Sequence, residues 1–225
     1  MRTISGAVIL LVLLGAALPV LAQDRIIDKK EYDSIYQKSL RFLETRAYRS
    51  TRVSEEYDRG SSPDIQTYVY EFVPPDRHHY VFSWTDSAGL RKIESITIGD
   101  QRWQRTDDGL WKVDAIGSGT GSGSGEGGRL IEQLIEYKVT SGVKMGNETA
   151  DLYQFTKTSK FASGNGAYQT GSTERRWFNR KGLLLKSENI STREGSSTDG
   201  AAATYEYGPK IKIEAPEVLG ETRSN

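Results

Sequence analysis

Residues 94–113 alternate apolar and polar side chains, and two turn-forming pairs, Gly99-Asp100 and Asp108-Gly109, interrupt the alternation. The apolar members of the three runs are Ile96, Ile98, Trp103, Trp111 and Val113. Alternation at a period of two, bounded by glycine and aspartate, is typical of antiparallel hairpins. The sequence therefore predicts three short strands joined by two tight turns.

Two predicted strands before this segment, residues 67–73 and 78–84, each carry three aromatic side chains on one face. These are Tyr68, Tyr70, Phe72, Tyr80, Phe82 and Trp84. One aromatic side chain buries about 150–250 Å², so six together are too much apolar surface to leave bare. Two alternatives stay open: helices cover this face as a core, or the face lines a cavity.

Two segments have helical rather than alternating periodicity. Residues 28–45 place apolar side chains three and four positions apart, which predicts an amphipathic helix. Residues 129–139 show similar spacing and predict a second short helix, with Leu130, Ile131, Leu134 and Ile135 on one side. With about ten predicted strands, the expected fold is mainly β (α+β): one curved antiparallel sheet with helices packed in its concave face.

The N-terminus predicts export. Arg2 precedes an apolar run that ends in Val20-Leu21-Ala22, as in a secretory signal peptide over residues 1–22. An uncleaved anchor is the alternative, but the run is shorter than the roughly 20 residues that a spanning helix needs. We expect one domain over residues 23–217, not membrane-spanning after cleavage, with a flexible Gly/Ser loop at 117–128 and a disordered tail at 218–225.

Composition excludes several classes of function. Lysine plus arginine and aspartate plus glutamate both number 30, so nothing favours nucleic acid as a partner. The absence of cysteine excludes a lipid-anchored lipoprotein and a thiol nucleophile. We expect no enzyme, no cofactor and no metal: His78 and His79 are adjacent in a strand and point to opposite faces, and Asp107-Asp108 fits turn chemistry.

Four segments in succession resemble the LolA/LppX-like lipoprotein-sorting and lipid-carrier superfamily. They are residues 98–112; residues 130–135 with 142–143 and 146–155; residues 174–187; and residues 205–217. The resemblance implies an open half-barrel with helices as a lid over an apolar cavity, and proteins that bind acyl chains in the bacterial envelope. This chain resembles a soluble, non-lipidated member, and its Gly/Ser tract departs from the pattern.

The expected function is a periplasmic or secreted protein that binds lipid or lipoprotein acyl chains as a carrier or chaperone. The candidate ligand-binding residues are the six aromatics, Ile96, Ile98, Trp103 and Trp111, with Leu130, Ile131 and Leu134 as lid contacts. The alternative is a protein-interaction or envelope-stress-sensing module on the same fold, with an envelope protein as partner and no ligand. A hydrolase would need convergent polar groups that the sequence does not show.

Overall fold

The computed structural model describes residues 23–56, 64–114, 129–163, 166–193, 199–208 and 210–218. These residues form one helix, α1 (Lys29–Thr45), and twelve strands. The strands are β1 (Gln23–Ile26), β2 (Tyr48–Glu56), β3 (Asp64–Val73), β4 (Arg77–Asp86), β5 (Gly89–Ile98), β6 (Gln101–Thr106), β7 (Lys112–Asp114), β8 (Arg129–Met145), β9 (Glu148–Ser163), β10 (Gly166–Asn179), β11 (Leu184–Arg193) and β12 (Asp199–Tyr207).

All twelve strands belong to a single antiparallel sheet in the order β1-β8-β9-β10-β11-β12-β2-β3-β4-β5-β6-β7. The sheet does not close into a barrel, because β1 and β7 remain its two edges. The predicted fold class, an open curved antiparallel sheet, is confirmed, although only one of the two predicted helices is present in the described residues.

Helix α1 forms where the sequence predicts it. The carboxylate of Asp28 accepts a hydrogen bond of 2.8 Å from the backbone N–H of Glu31, which caps the first turn. The buried ring of Tyr32 then packs against Tyr137 and Phe155, with centroids 5.2 and 6.2 Å away. These contacts hold α1 on one side of the sheet, which we call the helix-side face.

The predicted hairpins at residues 94–113 are also confirmed as β5, β6 and β7. Gly99 adopts a positive φ of 56° in the first turn. In the second turn the positive φ, 52°, falls on Asp107 rather than on a glycine. Its carboxylate accepts a hydrogen bond of 2.9 Å from the backbone N–H of Lys92, which ties the turn to β5.

The predicted second helix is wrong. Residues 129–139 belong to strand β8, which pairs with β9 along its length. The odd positions Ile135, Tyr137 and Val139 repeat at a period of two, and β-branched residues are frequent here, both of which favour a strand. The spacing of Leu130, Ile131 and Leu134 imitates a helix because the register shifts between Leu130 and Glu132.

Smaller differences lie at the ends of the chain. The sequence does not predict strand β1, and the described residues 210–218 form no strand. The predicted signal peptide, the Gly/Ser loop at 117–128 and residues 219–225 of the predicted tail lie outside the described residues.

Candidate functional site

A cavity of about 330 Å³ lies between α1 and the sheet. Leu40 and Leu43 of the helix form its apolar upper wall. On the sheet side, Ser187, Ala201 and Ala203 line it with small side chains. The helix cannot fill the space above such short side chains, so a gap remains in the size range of small-molecule sites, about 300–1,000 Å³.

The cavity belongs to one row of side chains that runs across the sheet in register. Arg176 of β10 is opposite Ser187, which is opposite Ala203. Ala203 is opposite Arg52, and the row continues through Tyr68, Phe82 and Ile93. Side chains that are directly opposite in an antiparallel sheet share a face. The cavity and the aromatic side chains of β3 and β4 therefore lie on the same helix-side face.

All six predicted aromatics are brought together on that face. Tyr68 is opposite Phe82, and Tyr70 is opposite Tyr80. The rings stack on each other: Phe82 lies 4.7 Å from Tyr68 and 4.9 Å from Trp84, centroid to centroid. Of the six, Phe72 is buried and the others are half-buried. We call Tyr68, Tyr80, Phe82 and Trp84 the aromatic row; it continues the cavity floor toward β5.

Hydroxyl and imidazole groups give this face a polar margin. The Tyr70 hydroxyl lies 2.6 Å from Nδ1 of His78. Tyr48 contacts Tyr70 and Phe72 at 5.8 and 5.9 Å, and burial raises the pKa of its hydroxyl. Burial likewise raises the pKa of Tyr32, to about 12, although the nearby Arg176 opposes this shift. These tyrosines stay neutral and can accept or donate hydrogen bonds at physiological pH.

Three of the other predicted site residues lie on the opposite face. Ser95 is the residue of β5 that is opposite Tyr80, so the neighbouring Ile96 is opposite His79 and points the other way. Ile98 and Trp103 share the side of Ile96, and Trp103 is buried there. The aromatic row therefore does not include them, since the register turns them away from the helix.

The remaining predicted residues are also separate from the cavity. Trp111 precedes β7, and its ring lies under the guanidinium of Arg105 at 4.6 Å. Leu130, Ile131 and Leu134 are exposed on β8, where they were expected to be lid contacts. The predicted lid helix is wrong because the segment is strand β8. A role of these three residues in ligand binding stays a prediction. Among the described elements, α1 alone covers the cavity.

The residues that sequence reasoning missed are those that line the cavity. Leu40 belongs to the apolar spacing that predicts the helix over residues 28–45, and that spacing does not by itself indicate a site. Ala201 and Ala203 carry a usable signal: a run of alanines in a predicted strand leaves room for whatever packs above it. No local sequence pattern indicates that the strand with Ala201 and Ala203 lies beneath α1. The cavity could therefore not be predicted from the spacing of apolar residues alone.

The opposite face carries a row of charged side chains contributed by five adjacent strands: Arg49, Glu71, His79, Glu94 and Arg105. Arg49 donates to Glu71 at 2.6 Å, and Arg105 donates to Glu94 at 2.8 Å. The ring nitrogens of His79 lie 2.7 Å from Glu71 and 2.9 Å from Glu94. This row ties β2 to β6 and is separated from the cavity by the sheet.

Two further features concern the part of the chain that the structure describes: clusters of metal-ligating side chains and helices that could span a membrane. There, no group of three or more histidine, aspartate or glutamate side chains is placed to hold a metal ion. The helix found among those residues is neither long nor apolar enough to cross a membrane.

Comparison with known proteins returns structures but no sequence families. No family model matches the chain, and no curated protein matches it. LprF from Mycobacterium bovis is 9% identical, with 84% of this chain and 98% of that protein covered and a TM-score of 0.43. An outer membrane lipoprotein-sorting protein domain from Vibrio parahaemolyticus is 13% identical over 80% and 93% of the two chains, with a TM-score of 0.30.

A LolA superfamily protein from Nitrosomonas europaea is also 13% identical, over 77% of this chain and 90% of that one, with a TM-score of 0.28. The names of the matched proteins fall within the group that the sequence segments resemble. At these identities and TM-scores, the likeness assigns no role to any residue of this chain.

Proposed function

We propose that this chain is an exported, periplasmic, non-enzymatic protein that binds an acyl chain of a lipid or lipoprotein and acts as a carrier or chaperone in the cell envelope. The observation that carries the proposal is the 330 Å³ cavity between Leu40 and Leu43 of α1 and the small side chains of β11 and β12. Its volume is near the lower end of the range for ligand sites, which suits one acyl chain rather than a whole multichain lipid.

An acyl chain can bind in this cavity with few polar contacts, because burial of its methylene groups supplies the binding free energy. Each methylene that leaves water contributes about 0.8 kcal/mol, so several methylenes in the cavity give useful affinity. The half-buried aromatic row adjoins the cavity on the same face and offers further apolar surface to a longer chain. The matched lipoprotein-sorting proteins make an acylated ligand a reasonable class to test first.

The test is uptake of a fluorescent fatty acid by the mature chain and by a variant whose cavity is filled. Ala203→Leu puts a larger side chain into the cavity floor, so we expect uptake to fall at least tenfold. Thr204→Leu is the matched control, because Thr204 is exposed and points to the other face of the same strand. Ser187→Leu, opposite Ala203, is the second cavity variant if the first does not fold.

Uptake by Ala203→Leu and Ser187→Leu that equals wild-type uptake would contradict the cavity as the binding site. Native mass spectrometry of the wild-type chain supplies an independent readout, with co-purifying lipid as the expected result. Export is tested separately: the intact mass of the secreted chain should correspond to an N-terminus at Gln23.

A second candidate function is a protein-interaction or envelope-stress-sensing module without a ligand. The observation that favours it is the exposure of Leu130, Ile131, Leu134 and Ile135 on β8, since clustered exposed apolar side chains often mark interaction sites. Native mass spectrometry that shows only the mass of the protein without ligand, together with no uptake of fluorescent fatty acid by the wild-type chain, would favour this module over the carrier.

A further inference from the structure

Four charged residues line the cavity: Arg52, Glu174, Arg176 and Glu188. The side chain of Glu188 points to the opposite face, because the neighbouring Ser187 points to the helix-side face. Glu174 is paired with Arg176 at 2.6 Å. Glu188 is paired with Lys186 at 2.6 Å and with Arg175 at 3.6 Å. Glu174 and Arg176 therefore balance each other on the helix-side face, and Glu188 is balanced on the opposite face.

Arg52 is the exception. It has no ion-pair partner among the residues that the structure describes, and its guanidinium carbon lies 5.5 Å from the ring centroid of Tyr68. This cation–π contact orients the guanidinium without neutralising its charge. Among the described residues that line the cavity, Arg52 is thus the one charged residue without an opposite charge beside it.

The position of Arg52 matters as much as its charge. In the sheet register it lies between Ala203 of the cavity floor and Tyr68 of the aromatic row. Its side chain is exposed, so it stands where the cavity opens to solvent. A ligand whose chain enters beneath α1 leaves its head group at this margin.

We propose that Arg52 binds the anionic head group of the ligand, so that the protein selects single-chain lipids with a carboxylate or phosphate head. This role of Arg52 rests on the proposed acyl-chain function, and it specifies the class of ligand that the cavity would take. The planar guanidinium can donate two parallel hydrogen bonds to the oxygens of either head group. Tyr68 holds it in place, which lowers the entropy lost when the bonds form.

The test compares ligands with the same chain and different heads. Palmitic acid, hexadecanol and a lysophosphatidic acid with a palmitoyl chain each displace the fluorescent fatty acid from the mature protein. For the wild type, we expect the acid and the phosphate to bind at least tenfold more tightly than the alcohol. The ratio between acid and phosphate distinguishes the two sources of the anionic head.

Arg52→Ala should lose this preference: binding of both anions weakens about tenfold or more, while binding of hexadecanol is unchanged. Arg52→Lys keeps the positive charge but loses the two parallel N–H donors of the guanidinium, so it should retain part of the preference for anionic head groups. The matched control is Arg41→Ala, which removes the same charge from an exposed site on α1 that does not line the cavity. It should bind all three ligands as the wild type does.

The outcomes separate this inference from the function on which it rests. If the wild type binds the alcohol as tightly as the anions, or if Arg52→Ala keeps the preference, the head-group site is wrong and the acyl cavity stands. If the wild type binds none of the three ligands, the acyl-chain function itself is wrong and the head-group site falls with it.

Discussion

Nδ1 of His79 lies 2.7 Å from Oε2 of Glu71, and Nε2 of the same ring lies 2.9 Å from Oε1 of Glu94. The ring of His79 thus lies between carboxylates of two different strands, β3 and β5. Arg49 and Arg105 donate to the other oxygens of the two glutamates, so each glutamate contacts both His79 and an arginine.

This row makes stability depend on pH. Burial acts to raise the pKa of Glu71, but hydrogen bonds with His79 and Arg49 outweigh burial and leave the pKa below its ordinary value. The pKa of Glu94 is lowered against burial in the same way, by Arg105 and His79. A carboxylate with a lowered pKa contributes stability that is present above the unfolded pKa, about 4.5, and is lost as pH falls through the folded value.

We therefore expect the free energy of unfolding to fall as pH is lowered from about 5 toward 3. Glu71→Gln should be less stable at pH 7 and should lose less stability over the acidic range. Urea denaturation at a series of pH values measures both effects. A Glu71→Gln variant whose stability falls with pH as steeply as the wild type would contradict the role of this carboxylate.

The cap of α1 gives a second prediction. Asp28→Ala removes the acceptor for the Glu31 N–H and should lower the free energy of unfolding by about 1 kcal/mol. Asp28→Ser is the control, because serine can also cap a helix. Equal stability of the alanine and serine variants in urea denaturation would mean that the cap does not stabilise the fold.

The buried ring of Phe178 gives a third prediction. Its side chain is 2% exposed and meets Tyr153 edge-on at a centroid distance of 5.6 Å. Phe178→Ala should leave a cavity and cost about 3–5 kcal/mol of unfolding free energy. The measurement is again urea denaturation, and a cost below 1 kcal/mol would show that the ring is not in a packed core.

A fourth prediction follows from the strand at residues 129–145. Leu134 is 68% exposed there, so Leu134→Ser should change the free energy of unfolding by no more than about 0.5 kcal/mol. It should also leave fatty-acid uptake unchanged. A loss of uptake would instead support the lid helix that the sequence predicts and the structure replaces with β8.

Local signals in the sequence were sufficient where a local interaction decides the structure. The apolar spacing over residues 28–45 predicts α1, and the glycine and aspartate pairs predict the hairpins. The assignment of β8 failed because pairing with β9 outweighed a helical spacing that a bulge near Ile131 produces. The face of Ile96 depended on which residue of β5 is opposite Tyr80, and sequence alternation alone does not set that register.

The sequence alone could not predict the cavity or the row of charged side chains on the opposite face. Ala203 and Leu40 line the same cavity although they are far apart along the chain. The sequence predicts that His79 is an ordinary strand residue that points away from His78, and in the structure the two histidines do lie on opposite faces. The two glutamate neighbours of His79 come from different strands, so their contact depends on a register that alternation does not reveal.

The strand order has a consequence for chain connectivity. Asp114 ends β7 at one edge of the sheet, and Arg129 begins β8, ten strand spacings away. At about 4.8 Å per spacing, a flat sheet would separate them by roughly 48 Å. The fourteen intervening residues can reach only about 50 Å when fully stretched. A flat sheet would hold this connection taut, so the covalent length of the chain itself favours bending the two edges toward each other.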